Sequence, residues 1–182
     1  MNTNTPAAAS PAIPDDNPGR ELAITNPDSP DARHISLAGD TYTILVTGEQ
    51  TNSRYCLIDM HVPNGGGPPP HRHDCEEMFT VLDGSVDFTF RGTSTTVPAG
   101  STVNIPANAS HRFRNNSGKP ARLLCLCSPA GQEDFFTRVG DPVESRTAPP
   151  PPLSPEEQDE RRQRALNLAP QYATELLPGD DE

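Results

Sequence analysis

Between residues 40 and 127 the chain is cut into short β-rich runs by Gly, Pro and Asn, and this rhythm constrains the fold more than any other feature. The runs cover about 40–47, 54–62, 77–82, 85–91, 93–97, 102–105, 111–115 and 121–127. The alternation in 85–91 is plain: Val86, Phe88 and Phe90 share one face, Asp87, Thr89 and Arg91 the other. A period of two marks a half-buried strand, because successive side chains leave opposite faces. Asp83-Gly84 between two runs is a hairpin signal, and Pro98-Ala99-Gly100 is another turn. Short strands at regular spacing, with no long helix among them, predict an all-β fold: a small antiparallel β-barrel or sandwich.

The flanks read differently. Pro reaches 22 of the 182 residues and concentrates at the two ends. Residues 1–33 are expected to be a flexible Pro-rich N-terminal tail, with a weak strand at 21–25. The β-barrel domain is placed at 34–140, ending in a short helix over 132–139 whose Phe135 and Phe136 pack back on the domain. The Pro run in 141–153 predicts a stiff linker. Ser154-Pro155-Glu156-Glu157 is a capping box with Pro at the first helical position. It predicts a C-terminal helix over 155–168 inside a last segment, 154–182, that ends in an acidic tail. That helix is polar, so it lies on the surface or docks through Leu166 and Leu168.

The formal net charge of −11 argues against nucleic acid, which selects a basic face, and against an anionic membrane surface. No run approaches the roughly 20 apolar residues of a membrane helix. The start, MNTNTPAAAS, has neither a basic nor an apolar signal region. A cytoplasmic protein with Cys56, Cys75, Cys125 and Cys127 reduced is the expectation.

The chemistry concentrates in Gly65-Gly66-Gly67-Pro68-Pro69-Pro70-His71-Arg72-His73-Asp74-Cys75-Glu76-Glu77. His71 and His73 are two apart, which sends both imidazoles to one face of an extended chain. Glu77 opens the next strand and points the same way if 74–76 make a small offset. His111 begins a strand farther on. Three imidazoles and a carboxylate suit one divalent ion (Fe, Ni, Co, Mn, Cu or Zn) and leave coordination positions free. A closed structural zinc site more often uses Cys. A lone histidine is more often a core or surface residue than a ligand, and His34 is given no role.

These residues resemble the cupin superfamily. Its first motif runs Gly, five residues, His, one residue, His, three or four residues, Glu, six residues, Gly; Gly65, His71, His73, Glu77 and Gly84 fall in that register. Its second runs Gly, five residues, Pro, one residue, Gly, two residues, His, three residues, Asn; Gly100, Pro106, Asn108, His111 and Asn115 fit it, with Asn108 where Gly is usual. Asn is the next best residue for a left-handed turn. The resemblance covers about 40–128. It implies a jelly-roll-type barrel with a metal near one mouth, held by His71, His73, Glu77 and His111. GGGPPPHRH with EEMFTVLDG is similar to quercetinase-like cupins. That implies a metal-dependent dioxygenase acting on a small enolic or phenolic, flavonol-like substrate, with Glu77 as both ligand and general base. The same scaffold also hosts non-catalytic small-molecule binders, isomerases and decarboxylases. It leaves room for a homodimer.

Strand parity outlines the pocket. With Glu77 inward, Phe79 and Val81 follow; with His111 inward, Phe113 follows, Asn115 caps the strand end, and Arg112 and Arg114 face out. Ile58 with Met60 makes the better core face of its strand. The cavity is then mostly apolar, which favours a flat apolar or aromatic small molecule. Cys75 is expected in the mouth loop or packed beneath it, with a fifth ligand or a reactive thiol as alternatives. Cys125 and Cys127 share one strand face and are expected to be small core residues. Glu76 should point away from the metal.

Overall fold

A computed structural model describes residues 13–179. Residues 1–12 of the expected tail and 180–182 of the acidic end lie outside the described residues. Every predicted run between 40 and 127 forms a strand, and further strands appear beside them. In chain order they are β1 (Arg33–Leu37), β2 (Asp40–Val46), β3 (Cys56–Val62), β4 (His71–His73), β5 (Glu76–Asp83) and β6 (Ser85–Phe90). Then follow β7 (Thr93–Pro98), β8 (Thr102–Ile105), β9 (His111–Arg114), β10 (Ala121–Ser128), β11 (Asp141–Val143) and β12 (Thr174–Leu176). A one-turn helix α1 (Gly48–Thr51) precedes β3, α2 (Gln132–Val139) follows β10, and α3 (Pro155–Leu168) precedes β12. The weak strand expected at 21–25 is absent: that stretch has no regular structure and stays exposed. Leu22 and Ile24 have no strand beside them to pair with, so their β preference is not enough.

The strands form two antiparallel sheets. One runs β11-β1-β2-β3-β10-β5-β8 and the other β12-β4-β9-β6-β7. The core lies between them. Ile58, Val81, Leu123, Val86 and Phe113 are fully buried there. Phe79 of the first sheet meets Phe88 and Phe113 of the second, with ring centroids 5.1 and 5.5 Å away. These tilted and edge-on aromatic contacts tie the two layers together.

Turn chemistry sets the register. Gly84, at φ +75°, turns the chain between β5 and β6 as the Asp-Gly pair predicts. Gly67 lies at φ +129°, and a Cβ there would stand 2.1 Å from the Phe113 carbonyl oxygen. Only glycine lets this segment run so close to β9. Asn115, fully buried, donates to the Val62 and Lys119 carbonyls at 2.8 Å each. It pins the end of β9, as expected of a strand cap.

The C-terminal third folds back onto the barrel. Ser154 and Glu157 make the predicted capping box. Helix α3 docks through Ala165 and Leu168, which pack with Phe135 and Val139 of α2. Leu166, expected at that contact, is instead exposed. In a helix Leu166 lies about 100° around from Ala165, whereas Leu168 is three residues on and shares its face. Strand β11 pairs with β1, and β12 pairs with β4.

Candidate metal centre

Strand β4 has only three residues, yet it fixes two of the four candidate ligands. It is held on one side by β9, with His71 opposite His111, and on the other by β12, with Thr174 opposite His73 and Leu176 opposite His71. Its end is tied down by the Asn108 amide, which donates to the His73 carbonyl at 2.8 Å. Asn108 has φ +66°, the left-handed conformation expected of it, and its side chain donates to Asp74. Beyond Asp74 the chain bends, and β5 brings Glu77 to the same point.

The four side chains converge. One potential ligand atom from each of His71, His73, Glu77 and His111 lies within 4.8 Å of all the others. His73 Nε2 and His111 Nε2 each stand 3.0 Å from the same oxygen, Glu77 Oε2. His73, Glu77 and His111 are buried, and His71 is half-buried at the cavity wall.

The opposite ring nitrogens are committed. His71 Nδ1 donates to the Pro69 carbonyl and His111 Nδ1 to the Ala109 carbonyl, both at 2.9 Å. His73 Nδ1 lies 3.3 Å from the Cys75 carbonyl and 3.1 Å from Cys75 Sγ. A nitrogen that donates to a carbonyl carries a proton, so in a neutral ring held this way Nε2 turns a lone pair into the site. Two such lone pairs facing one carboxylate oxygen repel unless a proton or a cation sits between them. Such a donor set could hold a cation, and the outer nitrogens are tied as those of metal-bound histidines usually are.

The charges agree. Burial and the neighbouring His111 hold His71 down to about 4, so it is a neutral donor at neutral pH. Burial alone would lower His73, but its bonds to Cys75 and Glu77 raise it to about 10. Glu77 is held well below the usual carboxylate range: burial opposes this, but His111 and His73 outweigh it. A proton on His73 can therefore sit between its ring and Glu77.

Beneath Glu77 lies a patch of thiols. Cys125 Sγ donates to Glu77 Oε1 at 3.2 Å, and Cys127 Sγ lies 3.7 Å from the same oxygen. Oε1 is thus turned to the thiols and Oε2 to the imidazoles. Cys125 and Cys127 are buried on one strand face, as expected, but they contact the candidate ligand Glu77 and are not merely core. Cys75 is buried beneath His73, touching the ring edge that faces away from the site, which removes it as a fifth ligand. Glu76 points away from the cluster and accepts from Asn104 and the Ala107 amide. His34 lies outside the site and bonds Thr43 at 2.8 Å.

A cavity of about 450 Å³ opens on the cluster, reaching His71 and Glu77 at one wall. Phe79, Phe113, Met60 and Tyr42 line it from the barrel, Phe135 and Phe136 from α2. The lining is predominantly apolar, as parity suggested, and the volume is that of a small-molecule site. What the sequence did not offer is its outer wall. Leu153, Arg161, Arg162 and Ala165 come from the C-terminal segment, with Thr174 and Leu176 from β12. The only local signal for that wall was the Ala165–Leu168 spacing on an otherwise polar helix.

Comparison with known proteins places this geometry. Residues 58–127 match the Cupin_2 cupin-domain family model. Quercetin 2,3-dioxygenase of Bacillus subtilis is 27% identical over 109 residues, covering 59% of this chain and 32% of that protein. Auxin-binding protein 1 of Arabidopsis thaliana is 29% identical over 125 residues, covering 64% of this chain and 55% of that protein. The chain thus matches about a third and about half of the length of these curated relatives. An RmlC-like cupin from Shewanella frigidimarina shares the fold, with a TM-score of 0.51 at 17% identity over 63% of this chain and 99% of the other. Among the described residues no helix is long and apolar enough to cross a membrane.

Proposed function

With a cupin domain at its centre the chain belongs to the cupin superfamily, and from that premise we propose that it is a metal-dependent oxygenase of small enolic or phenolic, flavonol-like molecules. The observation that carries this is the meeting of two features at one point: a three-histidine, one-carboxylate donor set and the inner wall of an apolar cavity. The likeness to a quercetin dioxygenase supports it.

In this proposal a divalent ion held by His71, His73, Glu77 and His111 supplies Lewis-acid and templating chemistry to an enolate or phenolate oxygen. Phe79, Phe113 and Phe136 receive the flat apolar body and exclude water from it. Glu77 lines the cavity, is ionised throughout the physiological range and turns Oε2 to the imidazoles. As general base it accepts the substrate hydroxyl proton. His71, His73 and His111, each anchored through Nδ1, keep their positions while this proton moves.

The test is to load the protein separately with Fe(II), Co(II), Ni(II) and Mn(II) and incubate it with a flavonol in air and under argon. Product that needs both metal and oxygen is expected. Conversion that is independent of oxygen overturns the oxygenase in favour of an isomerase or decarboxylase. Tight binding without product across a panel of enols and phenols favours a binding protein, a reading to which the similarity to an auxin-binding protein lends support.

A further inference from the structure

The cavity has two walls of different origin. The barrel supplies the inner wall with the candidate ligands; α2, α3 and β12 supply the outer one. The outer wall is anchored to the site itself. Strand β12 pairs with the ligand-bearing β4, Thr174 accepts from Gln132 of α2 at 3.0 Å, and the Leu177 amide donates to the Pro70 carbonyl at 2.8 Å. Strand β12 and helix α2 are therefore held in fixed relation to His71 and His73, and α3 packs on α2.

The charged side chains around the cavity are few, and their partners differ. Glu77 faces the imidazoles. Arg161 pairs with Asp141 at 2.8 Å. Arg162 also lines the cavity and has no ion pair among the described residues. The chain as a whole carries −11, so its general field repels anions. A negatively charged ligand needs a local cation, and at physiological salt that interaction acts within about 8 Å. An arginine whose stem only covers apolar surface would also look like this at first sight, so the test below separates charge from packing.

We infer that the substrate carries an acidic group, a carboxylate remote from the enolic or phenolic oxygen, and that Arg162 on the C-terminal helix selects it. Glu77 and the imidazoles face one end of such a molecule, the aromatic side chains its body, and the guanidinium its acidic end. A planar guanidinium matches a carboxylate with two parallel donors. The C-terminal segment is then a specificity wall as well as a cover. This inference rests on the cavity being the substrate site proposed above.

The experiment uses the full chain loaded with redox-inert Zn(II) and reads binding, not turnover. The probes are two fluorescent compounds of one shape, 6-hydroxy-2-naphthoate and its neutral amide, 6-hydroxy-2-naphthamide. The wild type should bind the carboxylate about fivefold more tightly than the amide, the scale of a part-exposed charge pair. Arg162→Met, which keeps an apolar stem, should bring the two affinities together; Arg162→Lys should retain part of the preference. Equal binding of both probes by the wild type, a full preference surviving in Arg162→Met, or no binding of either overturns the inference. Equal weakening of both probes in Arg162→Met assigns the side chain to packing and overturns it too. The metal reading is scored separately: if removing zinc, or His73→Ala, leaves both affinities unchanged, that reading fails while the Arg162 preference still reports on the outer wall.

Discussion

Cys125 Sγ stands 3.2 Å from Glu77 Oε1, on the far side of the carboxylate from the imidazoles. The thiol gives that oxygen a donor and so leaves Oε2 for the histidines. Burial raises the thiol to about 12, in spite of its contact with Cys127, so it stays protonated and able to donate. Cys125→Ala leaves a fully buried oxygen short of its closest donor. It is expected to lower metal affinity about 10- to 100-fold, the range for lost partners of metal ligands. Cys125→Ser restores a donor and should recover part of the loss. Competitive metal titration checks both; wild-type affinity in Cys125→Ala would refute the positioning role.

The ligand assignment makes a simpler demand. His73→Ala and His111→Ala should each lose the ion on elemental analysis of purified protein. Adding a divalent ion at a hundredfold excess over its dissociation constant should stabilise the metal-free wild type by about 2.7 kcal/mol. A shift in melting temperature should therefore appear with the wild type and vanish with either variant. Metal retained in His73→Ala would remove that residue from the set.

Asp40 gives stability a pH dependence of its own. It is fully buried, neither carboxylate oxygen has a hydrogen-bond partner of normal length, and desolvation raises it to about 8 despite the Gly67 amide, Arg114 and Tyr42. The folded protein therefore binds this proton more tightly than the unfolded chain, whose aspartate titrates near 3.9. Between roughly pH 4 and pH 8 the folded state holds more protons, so this contribution is present at low pH and is lost as pH rises through about 8. Asp40→Asn should flatten the fall in melting temperature between pH 6 and pH 9 and leave the mutant the more stable form at pH 9. A fall as steep as in the wild type would show that Asp40 is not its source.

Two contacts of the C-terminal segment should differ sharply in weight. Arg72 and Glu175 form an ion pair across β4 and β12, but both side chains are about half exposed. Such pairs contribute about 0–1 kcal/mol, so Glu175→Gln should hardly move the melting temperature. Leu168 packs with Ala165 against Phe135 and Val139, and Leu168→Asp puts a charge into that apolar contact. It should loosen α3, which increased binding of an apolar dye at the opened cavity and faster proteolysis near 150–155 would report.

Gly67 leaves the chain no alternative residue. With φ +129° and a Cβ position 2.1 Å from the Phe113 carbonyl oxygen, Gly67→Ala meets backbone strain and a backbone clash together. A loss of about 3 kcal/mol or more is expected, measured by chemical denaturation, and Gly92→Ala makes the control: φ is also positive there, but nothing lies within 4 Å.

Much of this was written in local sequence. Alternation and turn residues marked β2, β3 and the strands from β5 to β10 because a strand's side-chain period and a turn's φ requirement are properties of a few neighbouring residues. The spacing of His71, His73 and Glu77 and the Asn at 108 were legible for the same reason. The residue types and the resemblance both pointed to His111 as the third imidazole, but its convergence on the others is made by the pairing of β4 with β9. What tertiary structure alone decided is the company the site keeps. Three-residue β4, β11 and β12 are too short to show a period, and exist because a longer neighbour offers them a hydrogen-bonding edge. The thiols under Glu77 and the arginine on the cavity's outer wall are brought to the site by chain segments 48 and 85 residues away from Glu77, at Cys125 and Arg162. No local pattern encodes such distances, because only burial of a shared core brings those segments together.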